Sequence, residues 1–183
     1  MPHQKILLNK GWQFKQTTTL ANSTASSFLP VTQFPTVAHI DLLHHKLIPD
    51  PYIDTNELSI LWVNDADWTY RTTSIAPPLL PSPSSRAVLA FDGLDTIVSV
   101  YLNENLILES VDMHIGHRVD VTDALRVWGD RDSTLELRFR NAPAYAKEEM
   151  KRIGYKGNGT DVHFGGPERL FVRKAQYHWG WDW

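Results

Sequence analysis

The sequence contains no cysteine among its 183 residues. A disulfide framework, a cluster of thiolate metal ligands and a catalytic thiol are therefore all excluded. A Gly-x-Ser-x-Gly motif is also lacking, so the sequence gives no support to a serine hydrolase with a nucleophile elbow. No internal repeat is visible, and a hydrophobic content of 42% is enough for one domain with a substantial core.

The sequence also lacks a strong excess of charge. Eighteen basic residues against twenty-one acidic ones give a net charge of −3, with no basic stripe and no tail of like charges. We therefore expect no nucleic-acid partner and no membrane partner. The apolar run Ile6–Leu8 near the start is too short for a signal peptide or a membrane span, and we expect a cytoplasmic location.

Eight histidines raise the question of a metal site. His44 and His45, and likewise His114 and His117, are close in sequence, but in a strand or loop these spacings do not bring ring nitrogens together. We therefore expect no bound metal and no cofactor. The acidic residues are scattered among turns and strand edges, and no pair of them stands out as the two carboxylates that glycoside hydrolysis requires.

The dominant local pattern is a series of short β-prone runs separated by turn formers, which is typical of an antiparallel sandwich. Apolar and charged residues alternate in the last of these runs, so one face of that strand should line the core. Asn103–Asn105 predicts a hairpin turn, because asparagine tolerates left-handed backbone angles. The predicted strands are Trp12–Gln16, Leu58–Val63, Trp68–Ile75, Arg86–Asp92, Thr96–Leu102, Asn105–Ser110 and Thr134–Arg140.

One helix is predicted, over Ala142–Ile153. Pro143 falls in its first turn, strong helix formers follow, and Lys151 and Arg152 lie near the negative end of the helix dipole. Gly154 should end this helix. These patterns together predict an all-β sandwich with one short helix.

The stretch QYHWGWDW, Gln176–Trp183, places three tryptophans and one aspartate in the last five residues. Read as an extended strand, it has an aromatic face and a polar face, with Asp182 on the polar face. Two interpretations stay open: an ordinary half-buried strand, or a carbohydrate site with indole rings against sugar C–H groups and a carboxylate that accepts hydroxyl hydrogen bonds. The aromatic face would hold Tyr177, Trp179, Trp181 and Trp183.

Four stretches of the sequence, taken in order, carry a family resemblance. They are LNKGWQF, HIDLLHHKLIPDPYIDTNELSILWVNDADWTYRTT, LAFDGLDTIVSVYLNENLILES and LFVRKAQYHWGWDW. Together they resemble the N-terminal domain of β-mannosidases of glycoside hydrolase family 2, and the last stretch is the most specific. The sequence departs from the family pattern at Val111–His114 and at Thr36.

The resemblance implies a jelly-roll β-sandwich of the galactose-binding-like type over residues 1–183. It implies that this is the N-terminal domain of a larger exo-β-mannosidase, of the intracellular fungal type, which hydrolyses terminal non-reducing β-D-mannose with retention of configuration. The acid/base and nucleophile glutamates would lie outside this chain, because a (β/α)₈ barrel needs about 250 residues of its own. The implied partners are a β-mannoside oligosaccharide and the remaining domains of the same polypeptide.

By the same resemblance, Asp182 matches a position that binds hydroxyls of the terminal mannose, and Trp181 and Trp183 would shape the pocket wall. Arg173 is expected to anchor an ion pair. The sequence leaves two alternatives from other classes: a freestanding carbohydrate-binding module without catalysis, and a structural or oligomerisation domain. Galactosidase or glucuronidase specificity is the near alternative within the superfamily.

Overall fold

The computed structural model describes residues 4–17, 26–76, 83–154 and 166–179. Eight strands occur in this part of the chain: β1 (Trp12–Gln16), β2 (Leu29–Pro30), β3 (Trp68–Ile75), β4 (Val88–Phe91), β5 (Ile97–Leu102), β6 (Asn105–Ser110), β7 (His117–Asp120) and β8 (Ser133–Arg140). Six of them form one antiparallel sheet in the order β2-β1-β3-β8-β5-β6, and β4 pairs with β7 in a two-stranded sheet. The predicted fold class, dominated by antiparallel sheet, is confirmed.

Helices are more numerous than the single one that the sequence predicted. The shorter α-helices have no side-chain hydrogen bond at their N-caps, so the sequence gives little local signal for them. None of the described helices combines the length and apolar character that a membrane crossing requires. The α-helices are α1 (Ala38–His44), α2 (Asn56–Ser59), α3 (Thr122–Trp128) and α4 (Ala142–Ile153), and the 3₁₀ helices are Leu61–Asp65, Pro167–Phe171 and Gln176–Trp179.

The alternation predicted for β8 is confirmed. Leu135 and Leu137 are buried, whereas Arg138 and Arg140 are exposed. β8 lies between β3 and β5 in the six-stranded sheet, and its buried leucines belong to the main core. One buried cluster of this core consists of Trp12, Leu94, Val98, Val100, Leu135 and Leu137.

The hairpin between β5 and β6 turns at Asn103 and Glu104, whose φ angles are 50° and 68°. Positive φ at both central residues gives the turn a twist that matches the flanking strands. The Asn103 side chain accepts a hydrogen bond from the Thr134 backbone N–H at 2.8 Å and donates one to Ser133 Oγ at 3.2 Å. The predicted turn is confirmed, and its asparagine also ties the hairpin to β8.

Helix α4 has the predicted bounds. Asn141 Oδ1 accepts a hydrogen bond from the Ala144 backbone N–H at 2.7 Å, which caps the helix N-terminus. Gly154, with a φ of 73°, ends the helix in the left-handed conformation. Ala146 is fully buried and packs in a small cluster with Ile97 and Val172. The helix therefore lies against both β5 and the C-terminal segment of the chain.

The strand predicted over Leu58–Val63 is wrong, because this stretch holds the end of α2 and the start of a 3₁₀ helix. Ile60 and Val63 are buried in one cluster with Trp68, whereas Leu58 and Leu61 are exposed. Buried positions three residues apart are typical of a 3₁₀ turn. Tertiary packing therefore overrides the strand preference of isoleucine, tryptophan and valine in this stretch.

Candidate functional site

The sequence-predicted site residues Trp181, Asp182 and Trp183 lie outside the described residues. The candidate site is therefore built from the segment that leads to them, residues 173–179. Its last four residues form the 3₁₀ helix Gln176–Trp179, in which the His178 backbone N–H donates to the Ala175 carbonyl at 3.0 Å. The extended strand predicted for this part of the stretch is wrong, since the backbone here bonds within a helical turn.

The helical turn separates two aromatic residues that the strand interpretation placed on one face. Trp179 packs against the buried cluster of Ile97, Ala146 and Val172, whereas Tyr177 is 60% exposed. The indole N–H of Trp179 is buried and has no hydrogen-bond acceptor within the described part of the chain. Trp179 therefore anchors the segment to α4 and β5 by apolar contact rather than by a polar bond.

A second attachment joins Arg173 to the segment that follows β6. Arg173 Nε donates to Asp112 Oδ2 at 3.2 Å, and the two residues also form a parallel backbone bridge. The Asp112 carboxylate accepts a backbone hydrogen bond from His114, which is the largest cause that lowers its pKa, and Arg173 lowers it further. The predicted ion pair of Arg173 is confirmed.

Met113 adds backbone contacts beside this ion pair. Its N–H donates to the Arg173 carbonyl at 3.0 Å, and its Sδ accepts a hydrogen bond from the Ala175 backbone N–H at 3.0 Å. Met113 belongs to Val111–His114, where the sequence departs from the family pattern. In this protein the departing stretch thus helps to hold residues 173–175 in place.

A third attachment is a polar group that we call the Asp95 cluster, formed by Asp95, Lys174 and His178. Asp95 Oδ2 lies 2.6 Å from Lys174 Nζ and 3.3 Å from His178 Nδ1. The other carboxylate oxygen of Asp95 accepts a hydrogen bond from the Thr96 hydroxyl. One carboxylate therefore fixes two side chains of the C-terminal segment at once.

Charge and burial act together on the histidines near Lys174. Burial is the largest cause that lowers the pKa of His178, Lys174 lowers it further, and Asp95 acts in the opposite direction. Burial and then the Lys174 ammonium also lower the pKa of His39 on α1. A pKa below the ordinary value keeps both imidazoles neutral at neutral pH.

Sequence reasoning did not find the Asp95 cluster. Asp95 belongs to the stretch LAFDGLDT and Lys174 to RKAQY, so the cluster joins two of the four stretches that carry the family resemblance. The opposite charges of residues in these two stretches could have suggested an ion pair, but the sequence alone does not show which residues come into contact. In the described ranges, no group of three or more histidine, aspartate or glutamate side chains is arranged to hold a metal ion.

Comparison with protein families gives one match that covers most of the chain. Residues 12–183 match the family described as glycosyl hydrolase 2 galactose-binding domain-like. The chain belongs to this family. The resemblance seen in the sequence motifs is thereby confirmed, together with the galactose-binding-like fold.

Curated relatives cover all or nearly all of the chain. Beta-mannosidase B of Thermothelomyces thermophilus is 47% identical over 182 residues, which are 100% of this chain and 20% of that protein. Beta-mannosidase B of Aspergillus terreus is 44% identical over 96% of this chain and 20% of its own length. This chain thus spans about a fifth of the length of these relatives.

Solved structures agree with the sequence relatives. The β-D-mannosidase of Dictyoglomus thermophilum is 33% identical, with a TM-score of 0.81 over 96% of this chain and 20% of that one. An exo-chitosanase of Amycolatopsis orientalis has a TM-score of 0.55 at 17% identity over 72% of this chain, a likeness of fold alone. A similar fold therefore occurs in a β-D-mannosidase and in an exo-chitosanase.

Proposed function

We propose that this chain is the N-terminal, substrate-positioning domain of an exo-β-mannosidase, and that its parent polypeptide hydrolyses terminal non-reducing β-D-mannose in oligosaccharides or glycan fragments. The observation that carries the proposal is the 47% identity to a Beta-mannosidase B over the full length of the chain. The cytoplasmic location belongs to the same proposal, and it rests on the resemblance to the intracellular fungal enzymes.

In this proposal the chemistry takes place in other domains. Hydrolysis with retention uses two carboxyl groups about 5–5.5 Å apart, one as nucleophile and one as acid and base. We assign both to glutamates of a (β/α)₈ barrel that follows this domain in the parent polypeptide. The role left to the present chain is to bind and orient the sugar that the barrel cleaves.

We assign substrate contact to Asp182, with Trp181 and Trp183 as the wall of the sugar pocket. A carboxylate can accept hydrogen bonds from neighbouring sugar hydroxyls, and indole faces pack on sugar C–H groups. The three attachments at Arg173, the Asp95 cluster and Trp179 support this assignment, because they fix the chain up to three residues before Asp182. A contact that orients a substrate needs such a fixed support.

The test is the substitution Asp182→Ala in the complete polypeptide. If the Asp182 contact strengthens in the transition state, its loss should lower kcat/KM on an aryl β-mannoside by about a hundredfold. Asp130→Ala, at an exposed position after α3, is the matched control and should leave kcat/KM unchanged. An unaltered kcat/KM for the Asp182 variant would refute the assigned role.

A further inference from the structure

The segment Tyr52–Leu61 exposes an unusual number of large apolar side chains. Single exposed apolar residues are normal on a protein surface, but several within one short segment indicate an interaction surface. We call this segment the 52–61 surface. Its exposed fractions are 95% for Tyr52, 54% for Ile53, 63% for Leu58 and 56% for Leu61.

Hydrogen bonds fix the start of the 52–61 surface. Asp50 Oδ1 accepts a hydrogen bond from the Tyr52 backbone N–H at 2.9 Å. The Asn56 side chain donates to the Asp50 carbonyl at 2.9 Å, and its backbone N–H donates to the Ile53 carbonyl at 3.1 Å. The loop before α2 is thus held in one conformation while Tyr52 and Ile53 point outward.

Buried residues next to the 52–61 surface attach it to the core. Ile48, Ile60 and Val63 are all buried in one core cluster with Trp68. Leu58 and Leu61 are three residues apart, a spacing that puts side chains on the same side of a helical turn. Since the backbone is anchored on both sides of them, these two leucines cannot turn inward without disrupting the core.

The charged side chains within and just after the 52–61 surface are all acidic. Asp54, Glu57 and Asp65 are exposed, and no lysine or arginine occurs between Lys46 and Arg71. A complementary partner would therefore present an apolar centre with neutral or basic residues at its rim.

We propose that the 52–61 surface docks on another domain of the same, longer polypeptide, through an apolar patch with a basic rim. This inference rests on the proposed function, because that function places further domains in the parent chain. The relative that is 47% identical is about five times as long as this chain, which covers 20% of it. A tethered domain also has the advantage of a high effective concentration, so a small apolar surface is enough to bind it.

Hydroxyl-radical footprinting of the complete polypeptide tests the docking without any mutation. Leu58 has an exposed fraction of 63% in the described domain, between 67% for Leu7 and 50% for Leu106, so these three leucines form a matched set. Docking predicts that Leu58 is oxidised several-fold more slowly than Leu7 and Leu106. Equal oxidation rates would overturn the proposal.

Dilution separates a tethered domain from a second copy of the chain. For an intramolecular contact, the protection of Leu58 stays constant on dilution and light scattering reports an unchanged mass. Protection that is lost on dilution, together with a fall in mass, would assign the surface to a second copy and overturn the proposal.

A double variant, Leu58→Ser with Leu61→Ser, gives an independent readout in the complete polypeptide. It should abolish the protection of Tyr52 and lower the unfolding midpoint, whereas Leu106→Ser should do neither.

The footprint also distinguishes failure of the docking proposal from failure of the proposed function. If Leu58 is oxidised slowly in a polypeptide that does not cleave mannosides, the proposed function is refuted and the docking stands. If Leu58 is oxidised as fast as Leu7 and Leu106 in an active mannosidase, the docking is refuted and the proposed function stands.

Discussion

Lys174 Nζ lies 2.6 Å from Asp95 Oδ2, although the two residues are 79 positions apart in the sequence. The contact joins the loop before β5 to the segment that leads to Asp182. Both side chains are partly buried, with exposed fractions of 20% for Lys174 and 33% for Asp95. A charged hydrogen bond in such a partly buried position contributes more to stability than an exposed surface pair.

A double-mutant cycle with Asp95→Asn and Lys174→Met should therefore measure a coupling energy of about 1–2 kcal/mol in urea unfolding. Each single variant already removes the ion pair between Asp95 and Lys174, so the two effects should not add. A matched cycle at Asp123 and Arg126, a pair at 3.9 Å with Asp123 almost fully exposed, should give a coupling near zero. Equal coupling energies in the two cycles would contradict the structural role of the Asp95 cluster.

Trp179→Ala should destabilise the domain by about 2–3 kcal/mol, because it removes a large side chain from its packing against Ile97, Ala146 and Val172. Tyr177→Ala is the control, since Tyr177 is mostly exposed and its loss should change stability little. Thermal unfolding of both variants measures the difference. If Tyr177→Ala proved the more destabilising of the two, the anchoring role of Trp179 would be wrong.

Asp41 should give the stability of the domain a characteristic pH dependence. Its carboxylate is fully buried and accepts a hydrogen bond from the Tyr70 hydroxyl at 2.9 Å. Burial is the largest cause of the raised pKa of Asp41, while Tyr70, Thr36, His45 and His44 act to lower it.

The pKa of Asp41 in the folded protein lies above the reference value of 3.8. The protonated Asp41 side chain therefore contributes fully to the free energy of unfolding below pH 3.8, and this contribution is lost as the pH rises through the folded pKa. Asp41→Asn keeps an acceptor for Tyr70 but cannot ionise. The unfolding midpoint of the variant relative to the parent should therefore increase between about pH 4 and neutral pH. A difference that does not vary with pH would show that Asp41 has an ordinary pKa in the folded protein.

Local patterns predicted the elements that local interactions determine. The strands β1, β3 and β6 and the helix α4 have the predicted bounds, because β-prone runs between turn formers, a proline in the first helical turn and a terminal glycine act within a few residues. The prediction failed at Leu58–Val63 and at Gln176–Trp179, where packing of Ile60, Val63 and Trp179 against distant residues decides the backbone. β-Prone composition alone does not contain that information.

The sequence likewise predicted only part of the candidate site. Arg173 was predicted to form an ion pair, and the structure supplies Asp112 as its partner. The cluster of Asp95, Lys174 and His178 was missed, since nothing in one sequence indicates which of many oppositely charged residues meet after folding. The roles of Trp181, Asp182 and Trp183 stay predictions, because these residues lie outside the described part of the chain.

The most direct test of the central claim is kcat/KM of the complete polypeptide on an aryl β-mannoside and on the matching β-galactoside, with and without Asp182→Ala. The account predicts that the parent polypeptide prefers the mannoside and that the substitution lowers its kcat/KM on the mannoside by about a hundredfold. A preference for the galactoside, or a mannoside kcat/KM that the substitution leaves unchanged, would contradict it.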